Sequence, residues 1–182
     1  MNDLLMLALL LEAPQHGYAL KKRAGLISGQ GELHNNIVYP LLRRFVKEGW
    51  VTQRKAGGER GQTRVMYALR AAGRKAIEER ASEFGAEEAA SEGKFRLRVG
   101  LFSILDAATR AKVLDARQAF LEREAQKYGA MKEQIKFETF SGEVVRWIRE
   151  GIKAELDWIE RLRRMSRMDE RGNGRGKGGK RR

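Results

Sequence analysis

"LHNNIVYPLLRRFVKEGW" (residues 33–50) reads as a helix that carries a proline, and the placing of that proline decides the fold. Val38, Leu41, Leu42 and Phe45 line one face at helical spacing. Asn35 stands ahead of them as an N-cap, because its side-chain carbonyl can accept an orphan amide of the first turn. Pro40 then falls just past that turn, where its missing N–H removes one early hydrogen bond and bends or tightens the start instead of breaking the helix. Gly49 is the stop.

Upstream, Leu4 to Leu11 is apolar all round and has no β-branched residue, which predicts a short buried helix. Pro14 ends it. "QHGYALKKRAGLI" (15–27) predicts a second, amphipathic helix with Tyr18, Leu20, Ala24 and Ile27 near one side and Lys21, Lys22 and Arg23 on the other. Downstream of Gly49 the period changes to two. Val51, Gln53 and Lys55 alternate with Trp50, Thr52 and Arg54, and after "GGERGQ" the alternation resumes at Val65, Tyr67 and Leu69. Two strands joined by a glycine-rich turn make a hairpin longer than the tight two-residue type. Helix, helix, helix, hairpin is the order of a winged helix-turn-helix.

The whole chain has 182 residues, enough for one large or two small domains with a real core. It has no cysteine and only two histidines, His16 and His34, so disulfides and thiolate metal sites are excluded and no metal or other cofactor is expected. A cytoplasmic location fits that usage. The longest apolar run is eight residues, against roughly 20 for a bilayer span, and "MND" ahead of it is acidic, so neither a membrane span nor a secretory signal is expected. His16 has no nucleophile motif to serve, and the chain is read as having no catalytic function. A packing or helix-start role suits it better.

Net charge is +13, unevenly spread. Arg43 to Lys75 holds ten basic and two acidic residues, whereas Glu78 to Glu92 holds six acidic and one basic. The last twelve residues, "RGNGRGKGGKRR", add six basic charges and no acidic one. Such a balance points to a polyanionic partner, nucleic acid first, or to a solubilising surface.

Beyond about Ala71 a long helix should run into the glutamates, with Gly93 as its break. Phe95, Val99 and Phe102 then recur at helical spacing, and Asp106 can cap a helix in which Leu114, Leu121, Tyr128 and Ile135 recur every seven residues. A last helix shows Val145, Ile148, Ile152, Leu156, Ile159 and Leu162. The two stripes can bury each other within one chain or complete a core across a dimer, and the dimer is the favoured reading. Trp147 and Trp158, three turns apart on one face, suit interface packing, or a flat slot for a small aromatic effector.

As a recognition helix, the opening stretch offers Asn35 and Asn36 as side chains able to bond both N6 and N7 of adenine, and Tyr39, Arg43, Arg44 and Lys47 as phosphate contacts. Asn35 is read as a cap before a base contact, and Asn36 the other way round. The hairpin turn offers Lys55, Arg60 and Arg64 to backbone phosphates or the minor groove. Its glycines do not form a P-loop, since no Lys-Ser/Thr pair enters a helix there.

These pieces carry a resemblance. "LLMLALLLEAPQHGYALKK", "VYPLLRRFVKEGWV" and "GGERGQTRVMYALRAAGRKAI", in that order, resemble the PadR family of bacterial transcriptional regulators over Leu4 to Ile77. The resemblance implies a homodimer on a dyad-symmetric operator in double-stranded DNA, usually as a repressor, with C-terminal helices at the dimer interface. It also implies that Tyr39, Arg60 and Arg64 contact the DNA backbone and that Tyr18 supports the motif. The fold expected is mainly α (α+β). A winged helix-turn-helix domain spans 1–78, a linker helix 79–94, a helical dimerisation domain 95–167 and a disordered basic tail 168–182. The competing reading is an architectural or RNA-associated nucleic-acid-binding protein that relies on the tail.

Overall fold

The computed structural model describes residues 2–28, 33–57, 63–134 and 139–176. It is mainly helical with one small antiparallel sheet, and it divides into two compact units, Met1–Glu83 and Phe84–Arg182.

In the first unit, α1 (Asn2–Glu12) is buried through Leu4, Leu5, Met6, Leu7, Leu9 and Leu10, which is why its sequence is apolar without a period. After Pro14 comes a feature the periodicity did not announce. Gln15–His16 is a two-residue strand, β1, and the next helix, α2 (Gly17–Ser28), starts only at Gly17. Gln15 is buried there and its side-chain amide donates to the Leu9 carbonyl at 2.7 Å. α3 (Asn35–Lys47) buries Val38, Leu42 and Phe45, with Leu41 half-buried, and Pro40 sits inside it without ending it.

The α3 N-cap corrects the expectation. His34, not Asn35, holds the extended cap conformation (φ −69°, ψ 147°), and its carbonyl accepts from Ile37 and Val38 at 3.0 and 3.2 Å. No side chain caps the helix, so Asn35 begins the helix instead of preceding it. The stop is as expected, with Gly49 at φ +74°. Its N–H donates to the Val46 carbonyl at 3.1 Å, and the Trp50 N–H to that of Phe45 at 2.9 Å, the paired bonds of a Schellman cap.

Trp50 leads straight into β2 (Val51–Gly57), which pairs with β3 (Thr63–Leu69) in the register Val51↔Leu69 to Gly57↔Thr63. β1 pairs with the other edge of β3, giving the order β1-β3-β2. α4 (Ala71–Ser82) closes the unit through Ala76, Ile77 and Ala81. Its Gly73 is required by close approach, since a Cβ there would lie 2.4 Å from the Trp50 carbonyl oxygen.

The helix expected through the glutamates of 79–94 is broken. α4 ends at Ser82, and α5 (Ala86–Ala90) and α6 (Glu92–Gly100) follow. Phe84 at the break is buried in the second unit's core against Phe95, with ring centroids 6.4 Å apart. Burying that side chain outweighs continuing an exposed acidic helix. Ser91 restarts the chain as N-cap, accepting from the Lys94 N–H, and Gly93 lies within α6 instead of breaking a helix.

A 3-10 turn, Phe102–Ile104, leads to α7 (Ala107–Gln134), capped as expected by Asp106, whose Oδ1 accepts from the Thr109 N–H at 2.7 Å. α8 (Thr139–Gly176) returns antiparallel to α7. Leu114 and Leu121 meet Ile159 and Leu162 in a core that also holds Phe84, Ala89, Phe95 and Val113. Ile135 of the expected stripe lies outside the described residues.

Ion pairs fix the hairpin's register: Arg110 to Asp169 at 2.8 Å, Arg163 to Asp115 at 2.7 Å, and Arg117 to both carboxylate oxygens of Glu155 at 2.8 Å. The stretch expected to be disordered from 168 is helical to Gly176, because Asp169 is still anchored to α7 through Arg110. Residues 177–182 of that tail are outside the described set. Among the described residues, no helix is long and apolar enough to cross a membrane.

Candidate nucleic-acid interface

With Val38, Leu42 and Phe45 turned inward, the 3.6-residue period leaves Asn36, Tyr39, Arg43 and Lys47 along the opposite side of α3. All four are exposed, and none is a carboxylate. Asn35 is exposed beside them, relieved of capping by His34.

Arg44, one position round, is differently occupied. Its guanidinium pairs with Asp3 of α1 and with Glu48 at 3.8 Å, and lies 5.4 Å from the Phe45 ring centroid. It binds α1 to α3.

Tyr39 is positioned by Gly17. A Cβ on Gly17 would come within 2.9 Å of Tyr39 Cε1, so the tyrosine ring lies against the bare backbone that opens α2. Tyr67 of β3 stands beside it. Burial pushes the Tyr67 phenol above its ordinary range, Tyr39 adds to that, and Arg43 opposes it. The His-Gly-Tyr and Tyr-Pro segments of the sequence thus meet at one place, which spacing alone did not reveal.

On the hairpin, register separates the expected contacts. Lys55 pairs with Val65 on the side of Val51 and Tyr67, whereas Arg64 pairs with Ala56 on the side of Arg54 and Met66. All of Arg54, Lys55 and Arg64 are exposed. Arg60 lies outside the described residues. His16, read as a packing residue, has its Nδ1 3.4 Å from the Val65 carbonyl oxygen, on the β1–β3 edge.

In the second unit, Trp147 is 73 % exposed, whereas Trp158 is half-buried with its edge on Phe95 at 5.6 Å between centroids. The two tryptophans expected to share a slot thus have different surroundings. Of the expected stripe from Val145 to Leu162, Ile152, Leu156, Ile159 and Leu162 pack into the core that α7 forms in the same chain, and Val145 is buried. A second stripe was missed. Phe140, Val144, Trp147, Gly151, Ala154, Met165 and Met168 fall at alternating four- and three-residue steps, with Trp158 and Arg161 completing the repeat. Phe140, Val144, Trp147, Met165 and Met168 are exposed, and the heptad was legible had both faces of the helix been counted.

The PadR-like family of transcriptional regulators matches residues 6–79, a span that begins within α1 and ends within α4. A structure from Thermoplasma acidophilum assigned as a transcriptional regulator is 30% identical, covering 42% of this chain and 72% of that one, with a TM-score of 0.39. This chain belongs to the PadR-like family. Bacillus subtilis PadR in complex with operator DNA is similar at 18% identity over 90% of this PadR-like chain and 98% of that one, with a TM-score of 0.44. The same regulator in complex with p-coumaric acid is similar at 17% identity, over 90% and 97%, with a TM-score of 0.40. None of the curated proteins matches the chain.

Proposed function

We propose that this protein is a sequence-specific DNA-binding transcriptional regulator, a repressor that acts as a homodimer on a dyad-symmetric operator. The observation that carries the reading is the uninterrupted face of Asn36, Tyr39, Arg43 and Lys47 on a helix whose other side is core, in a chain of a transcriptional regulator family. In the major groove, Asn36 reads a base edge and Asn35, free of the cap, is available as a second amide. Tyr39, Arg43 and Lys47 hold phosphates, and Lys55, Arg60 and Arg64 of the wing hold the flanking backbone. Arg44 serves the α1–α3 contact first and the DNA second.

The exposed α8 stripe supports the dimer. Phe140, Val144, Trp147, Met165 and Met168 make a long apolar heptad face that a second copy would cover, with Gly151 and Ala154 allowing close approach at its middle. Pairing gives two α3 helices for one duplex. A small aromatic effector stacking on Trp147 would alter that pairing.

Selection from a pool of randomised duplexes tests the reading. The expected winner carries two related half-sites with centres about 10 base pairs apart, or a multiple. Asn36→Ala should relax preference at one position per half-site. Enrichment of no sequence, with affinity lost on removing residues 171–182, would overturn the reading in favour of an architectural role.

A further inference from the structure

Arg164 and Arg167 of α8 are exposed, and among the described residues they take part in none of that helix's ion pairs, whose cations are Arg110, Arg117, Arg146 and Arg163. At about 100° per residue, positions 164, 167, 171 and 175 fall within about 80° of one another, and each is arginine. This line stands roughly a third of the helix circumference from the face packed on α7, and as far from the exposed stripe of Trp147 and Met165. Neither packing uses it. Glu160, at the start of the line, is turned to Arg163 at 3.7 Å.

From 161 onward the sequence holds ten basic residues and two acidic ones, and Asp169 of those two is already paired with Arg110 at 2.8 Å. The acidic stretch 78–92 does not supply the missing complement. Its Glu78, Glu79, Glu87, Glu88 and Glu92 each have a nearby cation in Arg74, Lys75, Lys94 or Arg96. A row of like charges repels itself, and a polyanion relieves the repulsion.

Three features choose among polyanions. The helical part of the row is arginine, whose planar fork matches pairs of phosphate oxygens. Residues 161–182 include no aromatic side chain, so they provide no stacking platform for the bases of a single strand. Residues 171–182 hold only glycine, asparagine, lysine and arginine, and so have no apolar face to enter a membrane surface. Duplex DNA, recognised by its backbone alone, is the partner that fits.

We infer that Arg164, Arg167 and the basic residues that follow them form a second contact to duplex DNA, one that grips phosphates and reads no base. It is separate from the α3 face and operates whether or not α3 selects a sequence. The protein then holds any duplex through α8, with strong salt dependence, while α3 chooses among sequences.

The test uses the full-length protein and a long duplex of arbitrary sequence, with affinity measured across a salt series. Arg164→Gln/Arg167→Gln should weaken binding about tenfold at low salt. It should also reduce the slope of log affinity against log salt by about 3 to 4 in a dimer, near 0.9 for each phosphate released. The loss should be the same on the duplex selected from the random pool, leaving the preference for that sequence unchanged. In Arg43→Ala/Lys47→Ala, residual duplex binding should persist and should be removed by adding the two α8 substitutions. Thermal unfolding of Arg164→Gln/Arg167→Gln should match the wild type. Unchanged affinity and slope in that variant overturn the inference, while a persisting sequence preference leaves the proposed function standing. A larger loss on a single strand of equal length, or on phosphatidylserine vesicles, than on the duplex also overturns it. If no sequence is preferred and the variant still loses duplex binding, this inference stands and the proposed function falls.

Discussion

Gly17 and Tyr39 are in van der Waals contact across two helices, and the contact exists only because Gly17 has no side chain: a methyl there would sit 2.9 Å from Tyr39 Cε1. Gly17→Ala must push the ring off its seat, and because that ring is the exposed far end of the Tyr39 side chain the cost to stability is less than about 1 kcal/mol. Urea unfolding should show the lower midpoint, and DNA affinity should fall with it. In Gly17→Ala/Tyr39→Ala the two losses should be less than additive, because the clash is gone.

Arg43 and Arg44 are neighbours in sequence with different expected phenotypes. Arg43 is exposed on the outward side of α3, whereas Arg44 is held by Asp3 and Glu48. Arg43→Ala should reduce the slope of log affinity against log salt by about 2 in a dimer, near 0.9 for each phosphate released. Arg44→Ala should reduce that slope by less than Arg43→Ala does and lower stability by less than about 1 kcal/mol, as suits a partly exposed pair. Salt titrations of the two variants, beside urea unfolding, separate the roles.

Arg117 is the best-buried cation among the described residues of the second unit, with its Nη1 donating to the Ala89 carbonyl at 2.5 Å while Nε and Nη2 donate to Glu155. It lies between the Phe95 and Phe120 rings, 5.6 and 5.2 Å from their centroids. Glu155→Ala leaves that charge buried without its partner and should destabilise the unit by about 3–5 kcal/mol. Arg117→Met with Glu155→Leu should cost far less. Denaturant unfolding followed by Trp158 fluorescence reports on this unit.

Asp106 gives a pH dependence with a defined sign. The Thr109 backbone N–H, then the Thr109 side chain, hold its carboxyl below the ordinary value of 3.8, and Arg110 adds to the effect. A depressed folded pKa means that the stabilisation is present above the unfolded value and lost as pH falls through the folded one. Asp106→Ala should therefore lower the melting temperature at pH 7, and the gap to wild type should narrow as the pH falls through and below the ordinary carboxylate value.

Trp147 is the most informative probe of self-association. Trp147→Glu places a charge in the exposed α8 stripe and should give a monomer in sedimentation velocity with helical content unchanged. A dimer that persists at micromolar concentration would show that this face is not the contact.

Much of the first unit was legible because its elements announce themselves locally. The α3 core positions, the Gly49 stop and the strand alternation each follow from a short-range rule. What escaped was non-local. β1 is two residues long and exists only because β3 offers an edge, and the meeting of Gly17, Tyr39 and Tyr67 joins three segments distant in sequence. His34 took the cap from Asn35 through its backbone, which side-chain preference does not foresee. In the second unit, the break at Phe84 was set by burial in a core formed further along the chain, and the α8 helix hid two apolar faces of which only the intrachain one was read.

Trp50 links three elements through its main chain: its N–H caps α3 at Phe45, its carbonyl accepts from Arg70 at 2.8 Å, and that same carbonyl seats α4 against Gly73. α3 and the hairpin are consequently geared together and cannot be re-aimed separately. A shift in operator preference would have to come from exchanging side chains on a fixed mount, so lineages that acquire new target sites should vary at 35 and 36 while leaving the Gly49–Trp50 joint and Gly73 untouched.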